Sequence, residues 1–349
     1  MKRENIELKK KNSAKIPVLV IFAPTASGKT ALMYDLFCSK GSHFFLTGEV
    51  ISADSMQVYK GMDIGTAKPT KDFCKDVPHH LIDIISPNEQ YNVSDFIDET
   101  DKICKEIYSN GKLPVICGGT GFYIRSFMYG LPKTPESDPE LREKLKNRIK
   151  IEGNVALYNE LKSIDPESAN KIHVNDEYRI LRALEVYYLT GNTRSSYKIE
   201  QNLRDGYDFT FLVLEPPREL LHKRIEQRVE QMFEMGLKNE FDSLIKQGYT
   251  QECPGMKAIG YQEFFLYDSE EKIKERIIHN SKKYAKKQYT YIRDIPGSIN
   301  ISYQATENDI EKVYNLLKEK FCDYIWFHKK EIVKDIDQIF NFCDNIYTL

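Results

Sequence analysis

The stretch that most constrains this chain is Ala23-Pro-Thr-Ala-Ser-Gly-Lys29-Thr30. It follows an apolar run, Ile16-Pro-Val-Leu-Val-Ile-Phe22, and opens into Ala31-Leu-Met-Tyr-Asp-Leu-Phe37, whose apolar residues recur at helical spacing. Strand, tight loop and helix in that order make a cradle for phosphate. Backbone N–H groups point into the loop, and the helix N-terminus adds partial positive charge. The predicted phosphate site is therefore this loop. Lys29 would reach the outer phosphates, and the Thr30 hydroxyl would meet Mg²⁺. The stretch misses the pattern G-x-x-x-x-G-K-S/T by one residue, because Ala23 stands first. A left-handed backbone at Ala23 would cost about 1–2 kcal/mol, whereas a negative φ would cost little.

The 349 residues suffice for two domains, or for one core with an insertion. A hydrophobic content of 41% supports a sizeable core, and the formal charge of −2 confines any nucleic-acid binding to local basic patches. No apolar run approaches the ~20 residues that span a bilayer, and the charged N-terminus lacks the apolar centre of a signal peptide. The seven cysteines are scattered and include no Cys-x-x-Cys, which favours reduced thiols and a cytoplasmic location over zinc or disulfides.

Further strands are predicted at 49–53, 113–117 and 208–214, and helices at 93–110 and 218–235. Alternating strands and helices predict an α/β fold with a parallel sheet flanked by helices. Ligands of such sheets sit at the carboxyl ends of the strands, which aligns the Gly28 loop, Asp54 and Thr120 along one edge. After the linker Pro132-Lys-Thr-Pro-Glu-Ser-Asp-Pro139, charged helices at 139–152, 154–163 and 176–190 predict an inserted all-helical domain over 133–204. The core would then comprise 15–132 and 205–300. It would be preceded by a basic arm, 1–14, and followed by a helical appendix, 301–349, with the single Trp326. Residues 272–293 form a basic helix in which eight Lys/Arg face one acid, Glu275.

Several residues carry chemistry, each with a plainer alternative. Asp54, just past a strand, is a candidate general base or metal-shell carboxylate. Alternatively, Asp54-x-x-Gln57 is a capping box. Gly118-Gly-Thr120-Gly121 permits close approach of a ligand, or simply makes a tight turn. Arg224 and Arg228, at i,i+4, could clamp a pyrophosphate, or belong to a solvated ladder with Glu219, Glu226 and Glu230. Arg179 and Arg182 could touch RNA phosphate or lie on a solvated face. In Lys282-Lys-Tyr-Ala-Lys-Lys-Gln-Tyr-Thr-Tyr-Ile-Arg293, cations interleave with aromatics, as suits looped RNA, unless the tyrosines pack inward. His79-His80 is too isolated for a metal site.

Together these blocks resemble the tRNA dimethylallyltransferase family (tRNA isopentenyltransferases), over roughly residues 16 to 295. The likeness rests on Pro24–Thr30, on Asp54-Ser-Met-Gln-Val-Tyr-Lys-Gly-Met-Asp-Ile-Gly-Thr-Ala-Lys-Pro69, on Gly118-Gly-Thr120, on Asp138-Pro-Glu-Leu-Arg142, on 173–185 and 218–228, and on Ala285-Lys-Lys-Gln-Tyr-Thr290. The resemblance implies a P-loop NTPase-like core with an inserted helical domain, of bacterial type; the chain is expected to act as a monomer. The resemblance also implies transfer of a dimethylallyl group from its diphosphate to the N6 amine of the adenosine 3′ of the anticodon. By the same resemblance Asp54, Thr120 and Arg228 are catalytic, and Thr25, Ala26, Ser27, Gly28, Lys29 and Thr30, joined by Arg224, bind diphosphate with Mg²⁺. Contacts to the tRNA anticodon stem-loop would come from Asp54, Ser55, Met56, Gln57, Arg142, Tyr178, Arg179, Ile180, Leu181, Arg182, Lys257, Gly260, Tyr261, Gln262, Lys286 and Lys287. Lys282 and Lys287 stand where the family commonly has arginine. A transferase acting on free AMP, a P-loop kinase and an RNA-binding protein with a degenerate loop are the competing readings.

Overall fold

The computed structural model describes residues 15–198 and 202–321; the basic arm, Trp326 and the rest of the tail beyond 321 lie outside them. The first strand, β1 (Ile16–Phe22), has Val18 to Phe22 wholly buried. That uniform burial explains its unbroken apolar sequence, since a parallel strand is covered on both faces. Around it lie β2 (Gly48–Ser52), β3 (His79–His80), β4 (Leu113–Gly118), β5 (Tyr207–Glu215) and β6 (Ile299–Ser302). The sheet runs β3-β2-β4-β1-β5-β6, and every pairing is parallel. Phe22 is in register with both Gly118 and Val213, so the loops after β1, β4 and β5 emerge at one edge.

One face of the sheet is covered by α1 (Lys29–Phe37), through Leu32, Met33, Leu36 and Phe37, packed with Leu19, Ile21 and Val115. The same cluster contains Tyr303, Ile310, Val313, Leu317 and Phe321. The last four belong to, or directly follow, α12 (Glu307–Lys320). Residues 301–321, expected as a separate helical appendix, are thus part of the core: β6 extends the sheet and α12 closes it. After the short α2 (Lys71–Asp76) comes α3 (Val93–Ser109), which packs on β1, β2 and β4. Its start is fixed by a capping box between Asn92 and Asp95. α4 (Gly121–Tyr129) leaves β4 through the glycine turn. Beyond β5 come α9 (Arg218–Glu234), α10 (Leu237–Lys246) and α11 (Glu270–Gln288).

Residues 129–204 form a second compact unit. It contains α5 (Pro139–Glu152), α6 (Asn154–Ile164), α7 (Pro166–Lys171) and α8 (Glu177–Thr190), closed around Leu145, Leu157, Leu161, Ile180, Leu181 and Leu184. The starts of α5, α7 and α8 are marked by Asp138, Asp165 and Asp176, whose side chains accept N–H bonds three residues on. The five described cysteines form no disulfide with one another. No described helix is long and apolar enough to cross a membrane.

Candidate active site

A cavity of about 270 Å³ opens at the carboxyl edge of the sheet. Thr25 and Lys29 from the loop after β1, Asp54 after β2, and Arg228 on α9 line one end of it. Ile225, Val229 and Met232 of α9, with Ile277 of α11, supply an apolar wall. Lys257, Ser281, Tyr284 and Gln288 complete the lining.

The loop geometry answers the question posed by Ala23. That residue is fully buried, donates its N–H to Gly118 at 3.2 Å, and is not left-handed. Alanine in place of glycine is therefore without strain. The left-handed positions are Ala26, with φ 60°, and Gly28, with φ 92°. Ala26 tolerates this because its methyl packs against Leu221 and Ile225 of α9 and Ala285 of α11. Gly28 is obligatory on two counts: a side chain there would be left-handed and would meet Ala305 Cβ at 2.9 Å. Ser27 is wholly buried, and Thr30 is exposed in the first turn of α1.

Two cations share this end of the cavity at an electrostatic cost. Burial holds Lys29 below the usual lysine range; the nearby Cys117 and Asp54 pull it upward and Arg228 pushes it down. Burial likewise lowers Arg228, and Asp54 opposes the shift. Beneath them, burial pushes the Cys117 thiol up to about 11, with Lys29 opposing. Such a site gains by taking in an anion that neutralises both cations.

Asp54 does not open a capping box. Its Oδ1 accepts the Met56 N–H at 3.0 Å, but the Gln57 side chain turns away. Gln57 Oε1 accepts from Ser52 Oγ at 2.9 Å, and its Nε2 points to the carbonyls of Thr66 and Ala67. Beside Asp54, Thr120 Oγ1 accepts the Ser55 N–H at 3.1 Å. The Tyr284 hydroxyl is pushed up to about 12 by burial and then by Asp54, against hydrogen bonds with Thr120, Ser55 and Gln288.

The arginine ladder on α9 is not formed. Glu226 and Glu230 reach across to Lys282 and Lys274 of α11, at 2.6 and 2.9 Å. Arg228 turns into the cavity, whereas Arg224 donates to backbone carbonyls of Ser27 and Gln304. Arg224 thus holds the loop from outside. The glycines of the 118–121 turn give room to the protein itself. A Cβ on Gly118 would strike Ala53 O at 2.2 Å, and one on Gly119 would strike Gln288 Nε2 at 2.2 Å.

Among the residues expected to meet RNA, several are used internally. Ile180 and Leu181 are 0% and 4% exposed in the core of the helical unit, so their side chains have no free surface. Arg182 donates to the buried Glu185 at 2.5 Å and to Pro135 O, and Arg142 approaches the same carboxylate at 3.6 Å. Arg142 also covers the ring of Tyr178, which is exposed, and Arg179 pairs with Asp176 at 3.2 Å on the surface. Tyr261 is wholly buried, its hydroxyl bonded to Glu240 at 2.6 Å and to Gly65 N. Gly260 is buried, with its N–H taken by Glu263. Gln262 is half-buried, and its amide lies against Glu263. Ser55 and Met56 line the cavity, and Lys257, Lys286 and Lys287 are exposed. The tyrosines of α11 and the turn after it divide: Tyr284 faces the cavity, Tyr289 packs edge-on against Phe22, and Tyr291 lies on the surface against Phe122.

Met232, Glu240 and Gln288 are among the residues that drew no reading from the sequence. Met232 completes the apolar wall. Glu240 seats the loop after Tyr59 by accepting the N–H groups of Asp63, Ile64 and Gly65. Gln288 is 5% exposed and bridges two loops. Only Gln288 left a signal, as part of Ala285-Lys-Lys-Gln-Tyr-Thr290.

The family model described as IPP transferase matches residues 57–295. A tRNA dimethylallyltransferase of Sulfurihydrogenibium sp. is 42% identical over 326 residues, covering 91% of this chain and 99% of the relative. One from Geobacter sulfurreducens is 38% identical, covering 86% and 96%. The crystal structure of the full-length tRNA isopentenylpyrophosphate transferase of Bacillus halodurans superposes with a TM-score of 0.63 at 35% identity, over 89% of this chain and 98% of that one. A eukaryotic dimethylallyltransferase acting on tRNA superposes with a TM-score of 0.73 at 29% identity, over 88% and 79%. The cavity and the loop after β1 thus sit in a fold shared over most of its length with these enzymes, and the chain belongs to the IPP transferase family, the tRNA dimethylallyltransferases.

Proposed function

We propose that the chain transfers the dimethylallyl group of dimethylallyl diphosphate to the N6 amine of the adenosine 3′ of a tRNA anticodon, releasing pyrophosphate. One observation carries the reading of the site. A carboxylate, two cations held below their usual pKa, and an apolar wall line one cavity. The diphosphate would lie against Lys29, Arg228 and the loop amides, and the five-carbon group against Ile225, Val229 and Met232. An allylic carbon–oxygen bond breaks readily once the electron pair it leaves on pyrophosphate is stabilised, which the two cations supply. The amine lone pair forms the new carbon–nitrogen bond, and the proton then passes from nitrogen to Asp54. Met56 N–H fixes one oxygen of Asp54 and leaves the other for the amine. The target base would have to leave the anticodon-loop stack to reach the cavity.

The donor set suits Mg²⁺, which keeps water and takes few protein oxygens when it arrives with phosphate. No described cluster of three or more acidic, histidine or cysteine side chains could hold a metal unaided, and the Thr30 hydroxyl with diphosphate oxygens would complete its shell. Bound there, the ion would neutralise charge on the departing pyrophosphate. Exposed Lys257, Lys286 and Lys287, with Tyr178 and Arg179 of the helical unit, are the proposed contacts to RNA.

The test is transfer of label from dimethylallyl diphosphate to an anticodon stem-loop with adenosines after the anticodon, with AMP as rival acceptor and ATP as rival donor. Label in the stem-loop alone is expected. Label in AMP but not in RNA, or phosphoryl transfer from ATP, would overturn the proposal.

A further inference from the structure

Gln288 is the last residue of α11 and is 5% exposed. Its Oε1 accepts the N–H of Thr25 at 3.2 Å, and its Nε2 donates to Gly119 O at 2.8 Å. The orientation of the amide is fixed by its partners, since a backbone N–H only donates and a carbonyl only accepts. Among side chains of this length only glutamine can serve both: glutamate loses the donor and lysine loses the acceptor. The fit is close on both sides. A Cβ on Gly119 would meet Nε2 at 2.2 Å, and a Cβ on Gly121 would meet Gln288 O at 2.9 Å. Thr25 begins the phosphate loop, and Gly119 immediately precedes Thr120, which holds Ser55 N beside Asp54. The helix that carries Gln288 also presents Lys286 and Lys287 to solvent.

We propose that Gln288 is a positioning residue that couples the phosphate loop to the turn bearing Thr120, so that RNA seated on α11 and diphosphate held in the loop strengthen each other's binding. The proposal rests on the assignment of those two subsites above. A shift of α11 moves both ends of one buried amide, and with them both contacted loops. Coupling of this kind is reciprocal, and a factor of about five or more is the usual range.

The experiment measures the affinity of Mg²⁺-pyrophosphate with and without saturating anticodon stem-loop RNA. It uses the full-length wild-type chain, Gln288→Met and Gln288→Glu. The ratio of the two affinities is expected to be at least about fivefold in the wild type. It should fall to about one in both variants, while RNA alone binds within about threefold of wild type. The ratio is internal to each protein, so an altered charge or a lower melting temperature does not move it. A wild-type ratio of one, or a ratio kept in either variant, overturns the coupling. Wild-type protein that binds neither pyrophosphate nor RNA overturns the functional assignment instead.

Discussion

Arg224 holds the carbonyl oxygen of Ser27 at 3.3 Å through Nη1, while its Nη2 holds Gln304 O at 2.7 Å. The loop after β1 is thereby tied to the segment that follows β6, where Ala305 also packs on Gly28 and Tyr303 is wholly buried. A guanidinium can serve two carbonyls in fixed geometry, whereas an ammonium on a flexible stem cannot. Arg224→Lys should raise the KM for dimethylallyl diphosphate several-fold, up to about tenfold for ~1.4 kcal/mol lost in loop order. The kcat should change less. Steady-state kinetics with RNA saturating makes the comparison. A direct diphosphate ligand would instead show a large fall in kcat.

Ala26 offers a second test of the loop. Its φ of 60° costs about 1–2 kcal/mol for an L-residue. Glycine would relieve that strain but costs about 0.5–1 kcal/mol in chain entropy. It also gives up a methyl worth about 0.8 kcal/mol against Leu221 and Ile225. The contributions nearly cancel, so Ala26→Gly should shift unfolding free energy by less than about 1 kcal/mol. Ala26→Val adds a β-branch to the left-handed backbone and should be clearly destabilising. Denaturant melts of the two variants would show this ordering; equal effects would mean that strain at Ala26 does not matter.

On the proposed function, Lys29 stabilises its ligand at the expense of the empty protein. Its folded pKa lies below the unfolded value of 10.5, chiefly through burial. Between those two values the unfolded chain binds more protons, so this group makes stability rise with pH. Lys29→Met should raise the melting temperature of the empty protein near neutral pH, with the gap to wild type narrowing as pH climbs toward 10.5. Added Mg²⁺-pyrophosphate should stabilise the wild type and leave the variant unmoved. A variant that melts lower without ligand would show that Lys29 is needed for the fold.

Much of this arrangement is written locally. The apolar runs of β1, β4 and β5 are buried along most of their length, and nothing else suits such sequences in a chain that alternates them with helices. The edge strands are hidden because a two-residue strand, His79–His80, has no pattern, and Ile299–Ser302 alternates half-buried and exposed residues. The places of the Gly28 loop, Asp54 and Thr120 at the sheet edge were legible because each follows a strand end. Roles fixed by distant partners were not. Tyr261 reads as exposed until Glu240 and Gly65 close over it, and Gln288 sits in a run whose charges draw attention outward. The partner of Arg182 is Glu185, three residues on in the same helix, but the buried state of that glutamate comes from tertiary packing.

Glu185 is wholly buried and accepts from Ser137 Oγ, Asp138 N and Arg182, with Arg142 nearby. The carboxylate therefore pins the linker before α5 to α8. Removing one partner of a buried pair leaves the other charge uncompensated, at a cost of about 3–5 kcal/mol. Glu185→Ala should destabilise the helical unit by that order, seen as a new early transition in thermal unfolding. RNA affinity should fall with it, although Glu185 has no surface of its own. Arg179→Ala, which breaks only a surface pair, should spare stability and weaken RNA binding alone.

Asp54→Asn separates the two uses of that side chain. The amide oxygen can still accept the Met56 N–H, so the turn after β2 should survive, but the amide cannot take a proton from the amine. Loss of a general base costs about 10²–10⁴ in rate. The fall should lie in kcat, with RNA affinity within a few-fold. Pyrophosphate affinity should hold or rise, because the substitution removes a negative charge from the end of the cavity that receives the anion. Asp54→Ala should be equally inactive and also less stable, since Met56 N–H then loses its acceptor. Single-turnover rates together with pyrophosphate titrations distinguish the roles. An Asn variant that keeps its rate would reduce Asp54 to a turn-holding residue and leave the proton to water.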